Sequence, residues 1–223
     1  MYQYVTHFTI NDLLFMAQGA GITLILTIAS GVLGTIFGFL AGWARSTSSR
    51  ILYYTFGAYI DVIRSIPLII QFVLFNSFMA IAGYPLNPFV SGLITLSIYI
   101  SGYVAEVVKA GIESVPETTR MAARGLGMTY LHEFFYIVLP IGTRTVFPSW
   151  VGLMLGLMKD TSLIAVLGAT PPELLRASQI IITRIQQPLS ILLGAGAFYF
   201  AMCHLLTKFS ALYEMRWAKA QEV

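Results

Sequence analysis

Long apolar runs separated by short polar stretches organise this chain. Five of them reach the ~20 residues that an α-helix needs to cross a bilayer core: about 19–43, 51–82, 89–109, 146–168 and 188–210. The first, GAGITLILTIASGVLGTIFGFLAGW, is rich in small residues, which let membrane helices approach closely. The second is too long for one straight span and contains Pro67, which removes a helical hydrogen bond and pushes Ile66 out of helical geometry. A break or kink near 65–67 is therefore expected. The pattern predicts an all-α integral membrane fold of five transmembrane helices, a single domain over 1–223.

Composition strengthens that reading. The chain is 57% hydrophobic and 10% charged, against roughly 25% charged for a soluble domain, and its mean hydropathy is +0.77. A net charge of +3 without a basic run argues against a nucleic-acid partner. The single cysteine, Cys203, gives neither a disulfide framework nor a cysteine metal site, and His7, His132 and His204 lack metal or haem spacing. The expectation is no metal and no cofactor in this chain. MYQYVTHFTINDLLF lacks the basic flank and cleavage site of a signal peptide, so the first span is expected to be retained. Five spans place Arg45, Arg50, Lys109, Arg120, Arg124, Arg144, Lys208, Arg216 and Lys219 on one side and Arg176 and Arg184 on the other. Positive charge favours the cytoplasmic side, which predicts N-out, C-in topology and a cytoplasmic segment over about 110–145.

That segment has its own punctuation. Ser114-Val-Pro-Glu117 has the spacing of a capping box, with proline early in the first turn. A short helix through TTRMAAR would follow, with Arg120 and Arg124 near its negative end. Gly125 and Gly127 can supply a left-handed residue that ends it. A second helix, about 129–138, is expected to start after Thr129 and close before Pro140. Helix, glycine turn and helix form a unit too small to bury a core of its own, so it rests on lipid or docks on something.

The residues Ala122-Ala123, Gly127 and Ile137-Val-Leu-Pro140 resemble the EAA motif of ABC-importer permeases, E-A-A-x3-G-x9-I-x-L-P, with Met121 in place of the glutamate. Asp61-Val-Ile-Arg-Ser-Ile-Pro-Leu68, Gly102 to Ile112 and Lys159-Asp-Thr-Ser-Leu163 resemble segments of the polar amino acid subfamily in the same order. The resemblance implies a type I ABC importer permease fold. It also implies a coupling helix (Ala122, Ala123, Arg124, Gly125, Gly127, Pro140) seated in a groove of a cytoplasmic ATP-binding subunit. Further implied partners are a second permease chain, identical or related, and an extracytoplasmic amino-acid-binding protein. The location would be a bacterial inner membrane. The chain has no G-x-x-x-x-G-K-[ST] phosphate loop, so ATP would be bound by the partner subunit.

Ionisable residues within spans are rare and often functional. Arg64 lies 13 residues beyond 51, roughly 20 Å in, and Asp160 lies 15 beyond 145, roughly 22 Å in. Arg64 has the fork to hold a carboxylate, Asp160 the charge to take an ammonium, and Ser65, Thr161 and Ser162 supply hydroxyls. Lys159 is about 100° from Asp160 around the helix. It faces an acidic side chain or snorkels outward. Set against this, 51–63 reads equally as an interfacial helix with Arg64 at the membrane surface, paired with Asp61. Glu106 and Lys109 read as a local i,i+3 pair, and 171–184 as a short outer helix. The expected function is ATP-driven import of a polar amino acid, of the glutamate/aspartate or glutamine/arginine kind, by a chain that is not itself an enzyme. The alternative is an ion-gradient-driven transporter or channel; a haem-bearing anchor subunit would need paired histidines.

Overall fold

The structure is a computed structural model and describes residues 7–47, 49–168 and 171–219, with side chains through residue 215. Residues 1–6, and the side chains of Arg216 and Lys219 used for the charge comparison, lie outside the described residues. All regular elements among the described residues are helical. They are α1 (Ile10–Arg45), α2 (Arg50–Ser65), α3 (Leu68–Ile81), α4 (Pro88–Glu113), α5 (Glu117–Gly125), α6 (Tyr130–Glu133), α7 (Leu139–Asp160), α8 (Leu174–Ile185) and α9 (Pro188–Lys219). A π turn (Phe134–Val138) joins α6 to α7, and a 3₁₀ stretch (Thr161–Leu167) follows α7.

Among the described residues four helices are long and apolar enough to cross a membrane, and α2 with α3 makes a fifth span if the broken pair is taken as one. The break falls at Ile66-Pro67, where both residues are extended (ψ 127 and 136). Alone, the 14 residues of α3 reach roughly 21 Å, short of the ~30 Å hydrocarbon core.

Several boundaries differ from the sequence reading. The first helix starts at Ile10 rather than near 19, because Asp12 accepts the Thr9 N–H and hydroxyl at 2.8 and 2.9 Å and is ion-paired to Arg184. The expected capping box is absent. Ser114 follows the end of α4, where its hydroxyl donates to the Gly111 carbonyl at 2.7 Å, and Pro116 stands at the N-cap of α5 without a side-chain cap. The helix that begins after Thr129 does not close before Pro140; helical structure continues from Tyr130 to Leu167. In the π turn the Leu139 N–H donates to Phe134, five residues back. The ladder has thus shifted before it reaches a proline that has no N–H to give.

Two compact units make up the chain. One comprises Met1–Gly31, Pro67–Ser97 and Leu155–Lys208; the other comprises Val32–Ile66, Ile98–Met154 and Phe209–Val223. In the first, Met16, Ala20, Leu174, Ile181, Ile185, Ile191 and Ala195 form a buried cluster from α1, α8 and α9. In the second, the C-terminal part of α1 lies directly on α4. A Cβ added at Gly38 would come within 2.7 Å of the Ser101 carbonyl oxygen, and one at Gly42 would run into the Ala105 carbonyl. Glycine is the residue that permits this approach.

Candidate functional site

Arg64 and Ser65 belong to the second unit and Lys159–Ser162 to the first. Each group is described within its own unit.

Arg64 occupies the last turn of α2, with its guanidinium 3.6 Å from Glu106 Oε1 and its Cζ 5.4 Å from the centre of the Tyr103 ring. Glu106 is shared: Arg45, the last residue of α1, also binds Oε1 and stands 3.7 Å from Asp61. Two arginines and two carboxylates therefore balance one another across α1, α2 and α4. Asp61 meets Arg45 rather than Arg64, and Lys109 pairs with Glu113 at 3.8 Å rather than with Glu106. The cause is the Gly38–Gly42 contact, which brings the α1 terminus onto α4 and delivers Arg45 to Glu106. The Ser65 hydroxyl donates to the Asp61 carbonyl at 2.6 Å and is a helix-terminal tie. Arg64 thus shares one carboxylate with Arg45, the last residue of α1.

At Asp160 the α7 helix tightens into 3₁₀ geometry that runs seven residues to Gly168, which has φ 67. Runs beyond three or four residues are uncommon, and such stretches often mark functional hinges. Lys159 is exposed, Asp160 and Ser162 are half-buried, and Thr161 is fully buried with its hydroxyl donating to the Met158 carbonyl at 2.8 Å. Among the described residues neither Asp160 nor Lys159 makes a side-chain hydrogen bond or ion pair closer than 4 Å, the distance within which other charged groups here pair. A half-buried carboxylate that no hydrogen bond or close ion pair satisfies is a site with capacity for a cationic group.

Glu173 went unnoticed in the sequence. Fully buried, it caps α8 by accepting the N–H groups of Leu175 and Arg176, each at 2.7 Å, and accepts the Tyr199 hydroxyl at 3.3 Å. Burial pushes its carboxyl above the ordinary range, and the hydrogen bonds only partly offset this. Its signal in the sequence is the Pro-Pro-Glu before an apolar run, an N-cap position.

In the second unit, α5 ends in a turn at Gly127, with φ 88, and Thr129 caps α6 by accepting from the His132 N–H. Gly125, by contrast, is helical. Glu133, 1% exposed, binds Arg124 and sits 2.7 Å from Arg120 Nε. Those arginines lie four apart on one face and would repel each other without an anion between them. That like-charged pair was the available sequence clue to Glu133. Partnering with Glu133 raises the Arg124 guanidinium further above its ordinary range. Beside the clamp, Phe134 packs on Phe39 and Trp43 at 6.3 and 5.8 Å. Ala123 is buried, whereas Ala122, Met121, Leu126 and Pro140 are exposed. The unit is thus a pinned two-helix step with an open apolar outer face. Among the described residues no cluster of three or more His, Cys, Asp or Glu is arranged to hold a metal.

Residues 34–219 match the family of binding-protein-dependent transport system inner membrane components. The chain belongs to this family. Among its relatives are the L-cystine transport system permease protein TcyB of Bacillus subtilis (strain 168), 33% identical over 90% of this chain and 86% of that one. The glutamine transport system permease protein GlnP of Escherichia coli (strain K12) is 29% identical over 86% and 88%. A crystal structure of an amino acid ABC transporter with histidines superposes with a TM-score of 0.86, at 26% identity, covering 97% of this chain and 99% of that one. The inward-facing MetNI methionine ABC transporter shares the fold at a TM-score of 0.82 and 18% identity. As an inner-membrane component, the chain is a multi-pass membrane protein of a transport system.

Proposed function

We propose that this chain is the permease subunit of an ATP-binding-cassette importer that carries a polar amino acid across a bacterial inner membrane. The observation that carries the reading is the family match over residues 34–219, supported by the structural likeness to an amino acid ABC transporter. The N-terminus lies outside and the C-terminus in the cytoplasm. Segment 110–145 is then cytoplasmic, and the exposed face of α5 and its Gly127 turn sits in the ATP-binding subunit, which binds the ATP. A second permease chain completes the pathway, and an extracytoplasmic binding protein delivers the substrate. Closure of the ATPases reaches the spans as rigid-body movement.

Lys159, Asp160 and Ser162 meet the amino acid, with Asp160 taking the ammonium and Thr161 holding the segment from behind. Arg64 and Ser65 take part only where a substrate carboxylate displaces Glu106 from Arg64. Glu106 already balances the charge of Arg64. Lys159 and Asp160 together are neutral, which suits a ligand whose charges cancel, as in zwitterionic glutamine or the doubly zwitterionic cystine.

The test is reconstitution of the chain with its ATPase, any neighbouring permease and the binding protein in proteoliposomes, followed by uptake of labelled glutamine, cystine, glutamate, arginine and histidine. ATP-dependent uptake that Asp160→Asn abolishes without loss of the complex is the expected result. Uptake driven by a proton or sodium gradient, with no ATPase bound, would sink the importer reading. Normal transport by Asp160→Asn would remove the substrate role of this segment.

A further inference from the structure

Within the second unit, α4 and α7 meet backbone to backbone: a Cβ added at Gly142 would stand 2.6 Å from the Gly111 carbonyl oxygen. The two glycines bring no side chains to the crossing, so the neighbouring Val108, Ile112 and Val146 enclose a space there rather than fill it. Phe39 of α1 and Phe134 of the π turn complete the lining. The result is a half-open groove of about 320 Å³. It has room for roughly ten methylene-sized groups at the ~30 Å³ that a water molecule occupies. Among the described residues Thr143, itself exposed, is the one polar side chain that lines it. Water would not be held in such a place, because a buried water needs about two to four polar partners.

The groove sits among aromatic rings of the kind that gather at a membrane interface. Phe135 and Tyr136 of the π turn are 55% and 69% exposed, and Trp43 packs on Phe134. Trp43 follows Phe39 by four residues on α1, which puts both on one face of the helix. Its indole N–H is shielded and finds no acceptor among the described residues. A buried donor left in that state is costly, and an ester oxygen would satisfy it. Hydrophobic transfer does not favour the groove over the surrounding bilayer, since lipid tails are as apolar as its walls. What separates it from an ordinary lipid contact is the void to be filled and the donor to be satisfied.

We propose that this groove is a phospholipid site: one acyl chain lies between α1, α4, the π turn and α7, and an ester oxygen of the same lipid accepts the Trp43 N–H. The proposed topology makes it a lipid of the inner leaflet, and the site goes beyond the transport reading without needing it. Its occupant touches Phe134, which neighbours the buried Glu133 that holds Arg120 and Arg124. A bound lipid therefore braces the two-helix step against the spans of its own unit.

The experiment titrates the full-length chain, delipidated in dodecyl maltoside with whatever subunits co-purify, with palmitoyl-oleoyl phosphatidylethanolamine. Native mass spectrometry counts the lipids bound, and thermal unfolding is followed in parallel. Wild type is compared with Thr143→Trp, which fills the mouth, Trp43→Phe, which keeps the ring on Phe134 but removes the N–H, and Ile28→Trp, a control on the exposed apolar face of α1. Wild type should hold about one lipid per chain and melt at a higher temperature with lipid than without it. Thr143→Trp should weaken binding by at least about tenfold and lose that rise. Trp43→Phe should weaken it by about fivefold, the size of one hydrogen bond, and Ile28→Trp should stay within about twofold of wild type. Equal lipid binding in all four proteins overturns the proposal, because the lipid is then held by the general surface. If Thr143→Trp sheds the ATP-binding subunit while its lipid count is unchanged, the groove is a protein interface and the proposal fails. Should Thr143→Trp not fold, wild-type affinity in Trp43→Phe still overturns the assigned contact. Failure of the importer reading would show in uptake and leave these lipid counts unaltered.

Discussion

Two carboxylates matter at the residue scale, and they behave oppositely. Glu133 is a buried anion answered by Arg120 and Arg124, so its removal leaves two like charges facing each other on α5. Glu133→Ala should loosen α5, lower the melting temperature and reduce co-purification of the ATP-binding subunit; wild-type values for both would show that the clamp holds nothing. Glu173 instead has its carboxyl raised by burial above the ordinary 4.5. The native state holds that proton more tightly than the unfolded chain does. Its stabilising effect is full below the ordinary value and is lost as pH rises through the raised folded value. Glu173→Gln, neutral throughout, should shrink the fall in melting temperature between pH 5 and pH 8. An unchanged fall would assign the pH dependence to other groups. Arg120 and Arg124 signalled the need for an anion without saying which, and nothing local linked Glu173 to Tyr199, 26 residues away.

Glycines separate the cases at the scale of elements. Gly127 has φ 88 and open space around it, so Gly127→Ala carries only the backbone penalty of a left-handed residue, about 1–2 kcal/mol. Gly125 is helical with nothing within 4 Å, and Gly125→Ala should stabilise by about 0.4–1 kcal/mol. Opposite signs for the two alanines in thermal unfolding are the expected outcome; equal signs would mean the turn is not formed. Gly42 is different again, because a side chain there meets Ala105 and Val108 across the helix pair. Gly42→Val should cost about 1–3 kcal/mol and disturb the Arg45–Glu106 pair, as seen in detergent melting curves. The sequence marked the Gly127 turn correctly, yet it placed a helix end at Pro140 that the π turn makes unnecessary. A proline's effect depends on whether the preceding ladder has already shifted, and composition does not record that.

At the scale of the whole molecule, charge decides the preference among substrates. With Arg64 balanced by Glu106, and Lys159 beside Asp160, uptake competition should favour the net-neutral glutamine or cystine over glutamate by about tenfold or more, as expected where a ligand of net negative charge meets no surplus cation. Stronger competition by glutamate would mean that Arg64 leaves Glu106 during transport. Arg64→Ala then discriminates: if Arg64 is structural, it lowers the melting temperature without changing the order of preference.

Hydropathy and the glycine and proline positions determined that this chain is a set of apolar helices, with one broken at Pro67 and a polar helix–turn–helix step ahead of Pro140. These follow from the sequence because transfer to lipid and local backbone preference add up residue by residue along the chain. Only the tertiary structure decided that Arg45 and Arg64 share Glu106, that Glu133 lies beneath two arginines, and that Glu173 meets Tyr199. Ion pairs and buried hydrogen bonds depend on which helix faces approach within a few ångströms. That approach is set by packing between segments far apart in the chain, such as the glycine contact of α1 with α4.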